Sequence, residues 1–220
     1  MMKDIRLLMI GFGNVGRAFA RLLMQKQVTL ENSYGIRAKV TGIKTARHGA
    51  CINADGIDLN EALHLVENKQ DLGILSTQSF NGDTLNFIKT CPADVLIETT
   101  PVNPQAGTPA IDHLRTGFEY GMHGITANKG PVVYAYRKLN ELAQSKGLKF
   151  RFESAVMDGA PIFSLHRHTL AGAEIEGFVG ILNSCTNLLI EAMEDGTSLE
   201  DAVRHAQEIG IAESDPSNDI

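Results

Sequence analysis

The 220-residue sequence has little of what marks several protein classes. It holds three cysteines, Cys51, Cys91 and Cys185, far apart and without a CxxC pair. Zinc-binding and dithiol chemistry find no support, nor does a disulfide scaffold, and unpaired thiols suit a reducing cytoplasm. Cations are in deficit: 20 Lys and Arg stand against 26 Asp and Glu, for a formal charge of −6, and no basic cluster occurs. A nucleic-acid partner is therefore not expected. No uninterrupted apolar run approaches the roughly 18 residues of a membrane helix. The N-terminus carries Lys3, Asp4 and Arg6 and lacks a small-residue cleavage site, so neither a membrane span nor a secretory leader is expected. Charged residues make up 21% and hydrophobic residues 43%, which excludes disorder as a reading of the whole chain.

Glycine, by contrast, is plentiful at 21 residues, and such an excess marks tight turns and close backbone approach to ligands. The length suits one large domain, or one domain with part of a second. Short apolar strands are predicted at 5–10, 36–43, 93–97, 124–126 and 149–153. Helices are predicted between them. One spans 14–26, with Val15, Phe19, Leu22 and Leu23 as its stripe. One is opened by Asp58 with Glu61 in a capping-box position, and one spans 83–90. One is capped by Thr108 and stopped by Gly117, and one spans 132–146. Alternation of this kind predicts a parallel sheet covered on both faces. Beyond residue 153 the pattern predicts a helix from Pro161 to about Leu170 and a strand over 175–182. A helix capped by Ser184 and ended by Gly196 follows, then a last helix over 199–209 behind a Thr197–Glu200 capping box. The expected fold is α/β: a Rossmann-type doubly wound parallel sheet over 1–153 that binds a dinucleotide. A partial α+β substrate and dimerisation domain is expected over 154–220.

Gly11-Phe12-Gly13-Asn14-Val15-Gly16 is a GxGxxG turn placed between a predicted strand and a predicted helix. Gly11 permits the tight turn, Gly13 lets the backbone approach a pyrophosphate, and Gly16 allows close helix packing. The helix N-terminus then offers free N–H groups to the phosphates. The second strand runs into Lys44-Thr45-Ala46-Arg47-His48 without an acid that would bind a ribose 2′-hydroxyl. Arg47, alone or with Lys44, could instead pair with a 2′-phosphate, which favours NADP over NAD. Glu98-Thr99-Thr100-Pro101 and Ala127-Asn128-Lys129-Gly130-Pro131 both follow strands, so they lie at the ligand end of the sheet. His166 and His168, two apart on a helix, point to different faces. Ser154 and Ser184 lack a nucleophile-elbow setting.

These motifs, with Glu153-Ser-Ala-Val156-Met-Asp158-Gly159-Ala160-Pro161, Asn183-Ser-Cys-Thr186-Asn187 and the C-terminal stretch from Ala206 through Glu213 to Asp219 and Ile220, resemble the homoserine dehydrogenase family in order and along the whole chain. Met157-Asp158 stand where the family often has Gly-Gly, and Ser184-Cys185 where Gly-Thr is common. The resemblance implies interconversion of L-homoserine and L-aspartate 4-semialdehyde with NADP or NAD, in the route to threonine and methionine. It implies that Lys129 is catalytic and touches cofactor and substrate, and that Thr99 and Thr100 contact the cofactor. It implies that Glu213, Asp219 and Thr186 bind the small-molecule substrate. Glu153, Val156, Asp158 and Ala160 match a segment that holds a sodium ion in some members. A homodimer through the second domain is also implied. In the family the signature continues with a G-x-D-x-x-x-K element whose lysine is the proposed proton donor, and Ile220 stops short of it. The expectation is thus a fragment of a longer enzyme. The competing expectation is a dinucleotide-binding module with little or no catalysis.

Overall fold

Leu7-Leu-Met-Ile10 is apolar at consecutive positions, so a strand built from it needs cover on both faces. The computed structural model describes residues 2–157, 159–170, 172–181 and 183–212, and in it this run is the core of strand β1 (Lys3–Ile10), with Leu7, Leu8, Met9 and Ile10 all buried. The elements that follow are α1 (Asn14–Tyr34), β2 (Ile36–Lys44), β3 (Ala50–Ile52), α2 (Leu59–Glu67), α3 (Thr84–Thr90), β4 (Val95–Glu98), α4 (Ala110–Glu119), β5 (His123–Thr126), α5 (Lys129–Ser145) and β6 (Phe150–Arg151). The sheet order is β3-β2-β1-β4-β5-β6. That is the doubly wound order, with the chain reversing direction across the sheet between β1 and β4.

One strand breaks the expected all-parallel sheet. β3 runs antiparallel to β2, pairing Gly42 with Ile52 and Lys44 with Ala50. The connection over residues 45–49 is far shorter than the dozen or so residues a parallel crossover needs, so only a hairpin can form. The outer side of β3 is closed by its own chain: Ile52 N–H donates to Ser76 Oγ at 2.9 Å and Ile52 O accepts from Thr77 N–H at 2.9 Å.

The two faces are buried separately. Leu7, Met9, Val40 and Ile97 pack with Ala20 and Leu23 of α1 and Leu59, Leu63 and Val66 of α2. On the other face α3, α4 and α5 supply Phe87, Leu114, Phe118 and Leu139, all buried. Helix α1 runs eight residues past its predicted end. Leu30 carries the inward stripe of Gly16, Ala20 and Leu23 another two turns, and Gly35, at φ +63°, provides the stop. Val15 and Leu22, expected in that stripe, are exposed. Asp58 caps α2 as expected, its carboxylate accepting from the N–H groups of Asn60 and Glu61. Pro109, not Thr108, occupies the N-cap position of α4, and Gly117 lies inside that helix. A Cβ at Gly117 would stand 2.8 Å from a Leu96 methyl, so its lack of a side chain serves helix-on-strand packing and not termination.

The chain divides into two compact units, 1–155 and 156–220. The second contains α6 (Ile162–Thr169), α7 (Ser184–Glu194) and α8 (Leu199–Glu208). Cys185 and Leu189 of α7 pack with Ala202 and Ala206 of α8. The caps sit one residue away from prediction: Asn183 caps α7, and Ser198 with Asp201 caps α8. The strand expected over 175–182 is absent among the described residues. A strand needs a partner for its backbone groups, and Ile175, Phe178, Val179 and Ile181 are all exposed.

Candidate functional site

The glycine turn is shaped by what it touches. Gly11 sits at φ +93°, and a Cβ there would come within 2.6 Å of the Thr99 carbonyl oxygen. Only glycine meets both demands. Gly16 is equally tight, its missing Cβ lying 2.9 Å from Gly11 O. The space around Gly13 is open to at least 4 Å, as a close backbone approach requires. Gly13 offers no side-chain cap to α1, and no acid stands in the first turn. The N-terminal amides of a 21-residue helix thus face that opening with their partial positive charge uncompensated. The residues present thus fit an anionic phosphate group. Phe12 is buried beneath the turn, while Asn14 and Val15 are exposed; Asn14 Oδ1 accepts from the Arg17 guanidinium at 2.8 Å.

Next to this turn ends β2, where Lys44 O accepts from Gly11 N–H at 2.9 Å. The loop beyond is closed by Thr45: its hydroxyl accepts from His48 N–H at 2.7 Å, and its own N–H donates to Gly49 O at 2.9 Å. Arg47 stands at the tip, exposed, and makes no ion pair among the described residues. Lys44 is less free, its ammonium lying 5.8 Å from the centre of the Phe80 ring. Lys44, Asp71, Ser76 and Phe80 line a cleft of about 470 Å³ beside this loop.

The loops after β4 and β5 are tied together by a carboxylate that sequence reasoning did not select. Glu98 closes β4 and is wholly buried. Burial pushes its carboxyl above the usual carboxylate range, opposed by hydrogen bonds from Thr100 and Thr126. Thr126 Oγ donates to Glu98 Oε2 at 2.7 Å, Thr100 N–H donates to Oε1 at 2.9 Å, and the Thr100 hydroxyl donates to that same oxygen. The Asn128 amide then donates to Thr100 O at 3.1 Å and to Pro101 O at 3.2 Å, while its Oδ1 accepts from Gly130 N–H at 2.9 Å. The only local signal for Glu98 was an acid ending an otherwise apolar run.

The predicted contact residues sort themselves against this frame. The Thr99 hydroxyl donates to Gly11 O at 3.0 Å, and that of Thr100 serves Glu98. The protons of both hydroxyls are therefore engaged in bracing the site. Lys129 is the first residue of α5, which starts three residues before its predicted beginning because Asn128 caps it. It is exposed and without a partner among the described residues. A cation there opposes the helix dipole, a local rule broken in the manner of functional positions. Glu153 lies in the first unit, two residues before its end. Val156, Ala160 and Thr186 lie in the second, Thr186 in the first turn of α7 with its N–H donating to Asn183 Oδ1 at 3.0 Å. Asp158, Glu213 and Asp219 lie outside the described residues.

Other chemistries find little footing. Burial pushes the Cys51 thiol up to about 12 and that of Cys91 to about 11, far from nucleophilic thiolates. No group of three metal-ligating side chains occurs among the described residues, and no described helix is long and apolar enough to cross a membrane.

Comparison with known proteins agrees with this geometry. Residues 161–220 match the family model of homoserine dehydrogenase. The chain is 35% identical, over 100% of its own length and 62% of the relative's, to the NAD(+)-dependent homoserine dehydrogenase of Pseudomonas canavaninivorans. It is 38% identical, over 97% of its length and 63% of the relative's, to the homoserine dehydrogenase of Methanocaldococcus jannaschii. Its structure superposes with a TM-score of 0.82 at 28% identity on a hyperthermophilic archaeal homoserine dehydrogenase in complex with NADPH, covering 99% of this chain and 65% of that one. The chain thus spans less than two thirds of the length of these relatives.

Proposed function

We propose that this chain is a member of the homoserine dehydrogenase family, and that it supplies the dinucleotide site and part of the substrate site of an enzyme interconverting L-homoserine and L-aspartate 4-semialdehyde, with NADP preferred to NAD. One observation carries the reading: the uncapped glycine cradle and the exposed Lys129 both follow the carboxyl ends of strands that run parallel in one sheet, β1 and β5. In this reading Gly11, Gly13 and the first turn of α1 hold the pyrophosphate, and Arg47 meets the 2′-phosphate. When bound, the nicotinamide supplies the hydride chemistry. The Lys129 ammonium complements the negative charge that develops on the aldehyde oxygen during reduction. Glu213, Asp219 and Thr186 are proposed to hold the polar groups of the substrate, the carboxylates facing its ammonium. Glu153, Val156, Asp158 and Ala160 are proposed to hold a sodium ion.

Fluorescence titration of the chain with NADPH and NADH, followed by assay of NADPH-dependent reduction of aspartate 4-semialdehyde against a panel of other small aldehydes, tests the proposal. A folded chain that binds neither dinucleotide overturns it. Loss of a charge-assisted phosphate contact in Arg47→Ala is expected to weaken NADPH binding about ten-fold and NADH binding less than about two-fold. Equal losses remove Arg47 from the 2′-phosphate.

A further inference from the structure

We propose that Glu98 is a positioning residue for the nicotinamide end of the site, its buried carboxylate fixing the β4–α4 loop and the first turn of α5 in one frame and so setting where Lys129 stands. The proposal rests on the dinucleotide reading above and adds a residue that reading does not use.

The donor set around Glu98 is complete and one-sided. One oxygen takes Thr100 N–H and the Thr100 hydroxyl, and the other takes the Thr126 hydroxyl. Thr126 Oγ in turn accepts from Asn128 N–H at 3.0 Å, which leaves its own proton to point at Glu98. All three groups that face the carboxyl can donate, so both oxygens of an ionised carboxylate, which only accepts, are satisfied here. A wholly buried charge is costly, and an apolar residue would fill the end of β4 at less expense. What the charge does here is join two chain segments that are 28 residues apart.

That junction extends to the neighbours of Lys129 on either side. Asn128 binds Thr100 O and Pro101 O, and Gly130 donates to Asn128 Oδ1. Gly107, from the far end of the β4–α4 loop, sits so close to Gly130 that a Cβ on Gly130 would lie 2.7 Å from Gly107 Cα. The Tyr134 hydroxyl donates to Pro104 O of the same loop. Lys129 projects from a turn held by that loop through backbone groups on both sides of it. In a doubly wound sheet one mononucleotide half lies over β1 and β2 and the other over β4 and β5. Disturbing Glu98 should therefore affect the nicotinamide half of a dinucleotide and spare the adenosine half.

The test uses the whole chain, wild type and Glu98→Gln, with two probes: NADPH, and 2′,5′-ADP, which carries only the adenosine end. Loss of a buried charged hydrogen-bond partner is expected to weaken NADPH binding about ten-fold, with 2′,5′-ADP binding changed by less than about two-fold. Hydrogen exchange of 99–107 and of 127–133 is expected to accelerate together. General destabilisation would weaken both probes alike. Equal losses for the two probes, unchanged NADPH affinity, or acceleration in one segment alone overturns the proposal. Thr126→Val removes one donor and leaves the carboxylate in place. It is expected to show the same split at about three-fold, and an equal effect on both probes overturns the proposal even where the Gln variant does not fold. If the wild-type chain binds neither probe, the dinucleotide reading fails and exchange alone decides: joint acceleration sustains the positioning role, and its absence overturns it.

Discussion

Residues 1–155 and 156–220 are both rich in helices, yet their apolar residues have different fates. In the first unit a sheet lies between helix layers, and Leu8, Met9, Phe87, Leu96, Leu114 and Phe118 are wholly buried. Every buried polar or charged residue among those described, from Thr41 to Asn128, is there too. The second unit buries Cys185, Leu189, Ala202 and Ala206 between two helices, while Phe178 is 78% exposed and Val179 104%. The difference shows which signals complete a structure by themselves. Helix hairpins assemble from caps and i, i+4 stripes within one stretch of chain. An apolar segment of extended character stays open until another strand is placed beside it.

The comparison can be broken most forcefully through the first core. Phe118 is fully buried, edge-on to Phe150 at 5.7 Å between ring centres. Phe118→Ala is expected to cost the first unit about 3–5 kcal/mol in urea unfolding; a loss under about 1 kcal/mol would mean that its core is loosely packed. Capping is local, so the two units should not differ there. Asp58→Ala in α2 and Ser198→Ala in α8 are each expected to cost about 1 kcal/mol of helix stability, read by hydrogen exchange of the two helices.

Acid sharpens the contrast, because among the described residues the buried carboxyl and the buried imidazole, Glu98 and His113, sit in the first unit. Burial holds the His113 imidazole below its usual 6.5, and its Nδ1 has no hydrogen-bond partner. The unfolded chain takes up that proton first, so the contribution of neutral His113 is full above about 6.5 and is lost as the pH falls below it. Glu98 acts in the opposite sense: its raised carboxyl costs least below its usual 4.5 and most as the pH climbs through its folded value. The two are separated by His113→Gln. Moving from about pH 7.5 to about pH 5 should shift the stability difference against the wild type, and an unchanged difference would place His113 in a solvated setting. The smallest effect belongs to the second unit. Val179→Lys is expected to change stability by less than about 0.5 kcal/mol; a larger loss would show that the side chain is covered in solution.

What could be read in advance follows the range of the interactions. The strand β1, the glycine turn and the Asp58 cap declare themselves within a few residues, and the structure has them where they were expected. The loop after β2 was legible as one that carries Lys44 and Arg47 and no acid, and Arg47 stands exposed at its tip. Glu98 was not legible as a hub, because its partner Thr126, and Asn128, which binds Thr126 and Thr100, come from another strand and loop. β3 was missed because three residues carry no period, and its pairing depends on the turn before it. The strand expected over 175–182 fails for a related reason: Ile175, Phe178, Val179 and Ile181 have the right composition, but composition does not provide a neighbour.

The closed outer side of β3 has a bearing on how the chain behaves among its own copies. An unpaired strand edge is a template on which a second molecule can add a strand. Here Ser76 and Thr77 already occupy the outward N–H and C=O of Ile52. At the opposite end of the sheet, β6 is two residues long, and the Arg151 guanidinium donates to Phe150 O at 3.0 Å. Both borders are thus too short and too well occupied for edge-to-edge growth, so the sheet is protected against intermolecular β-pairing at both ends.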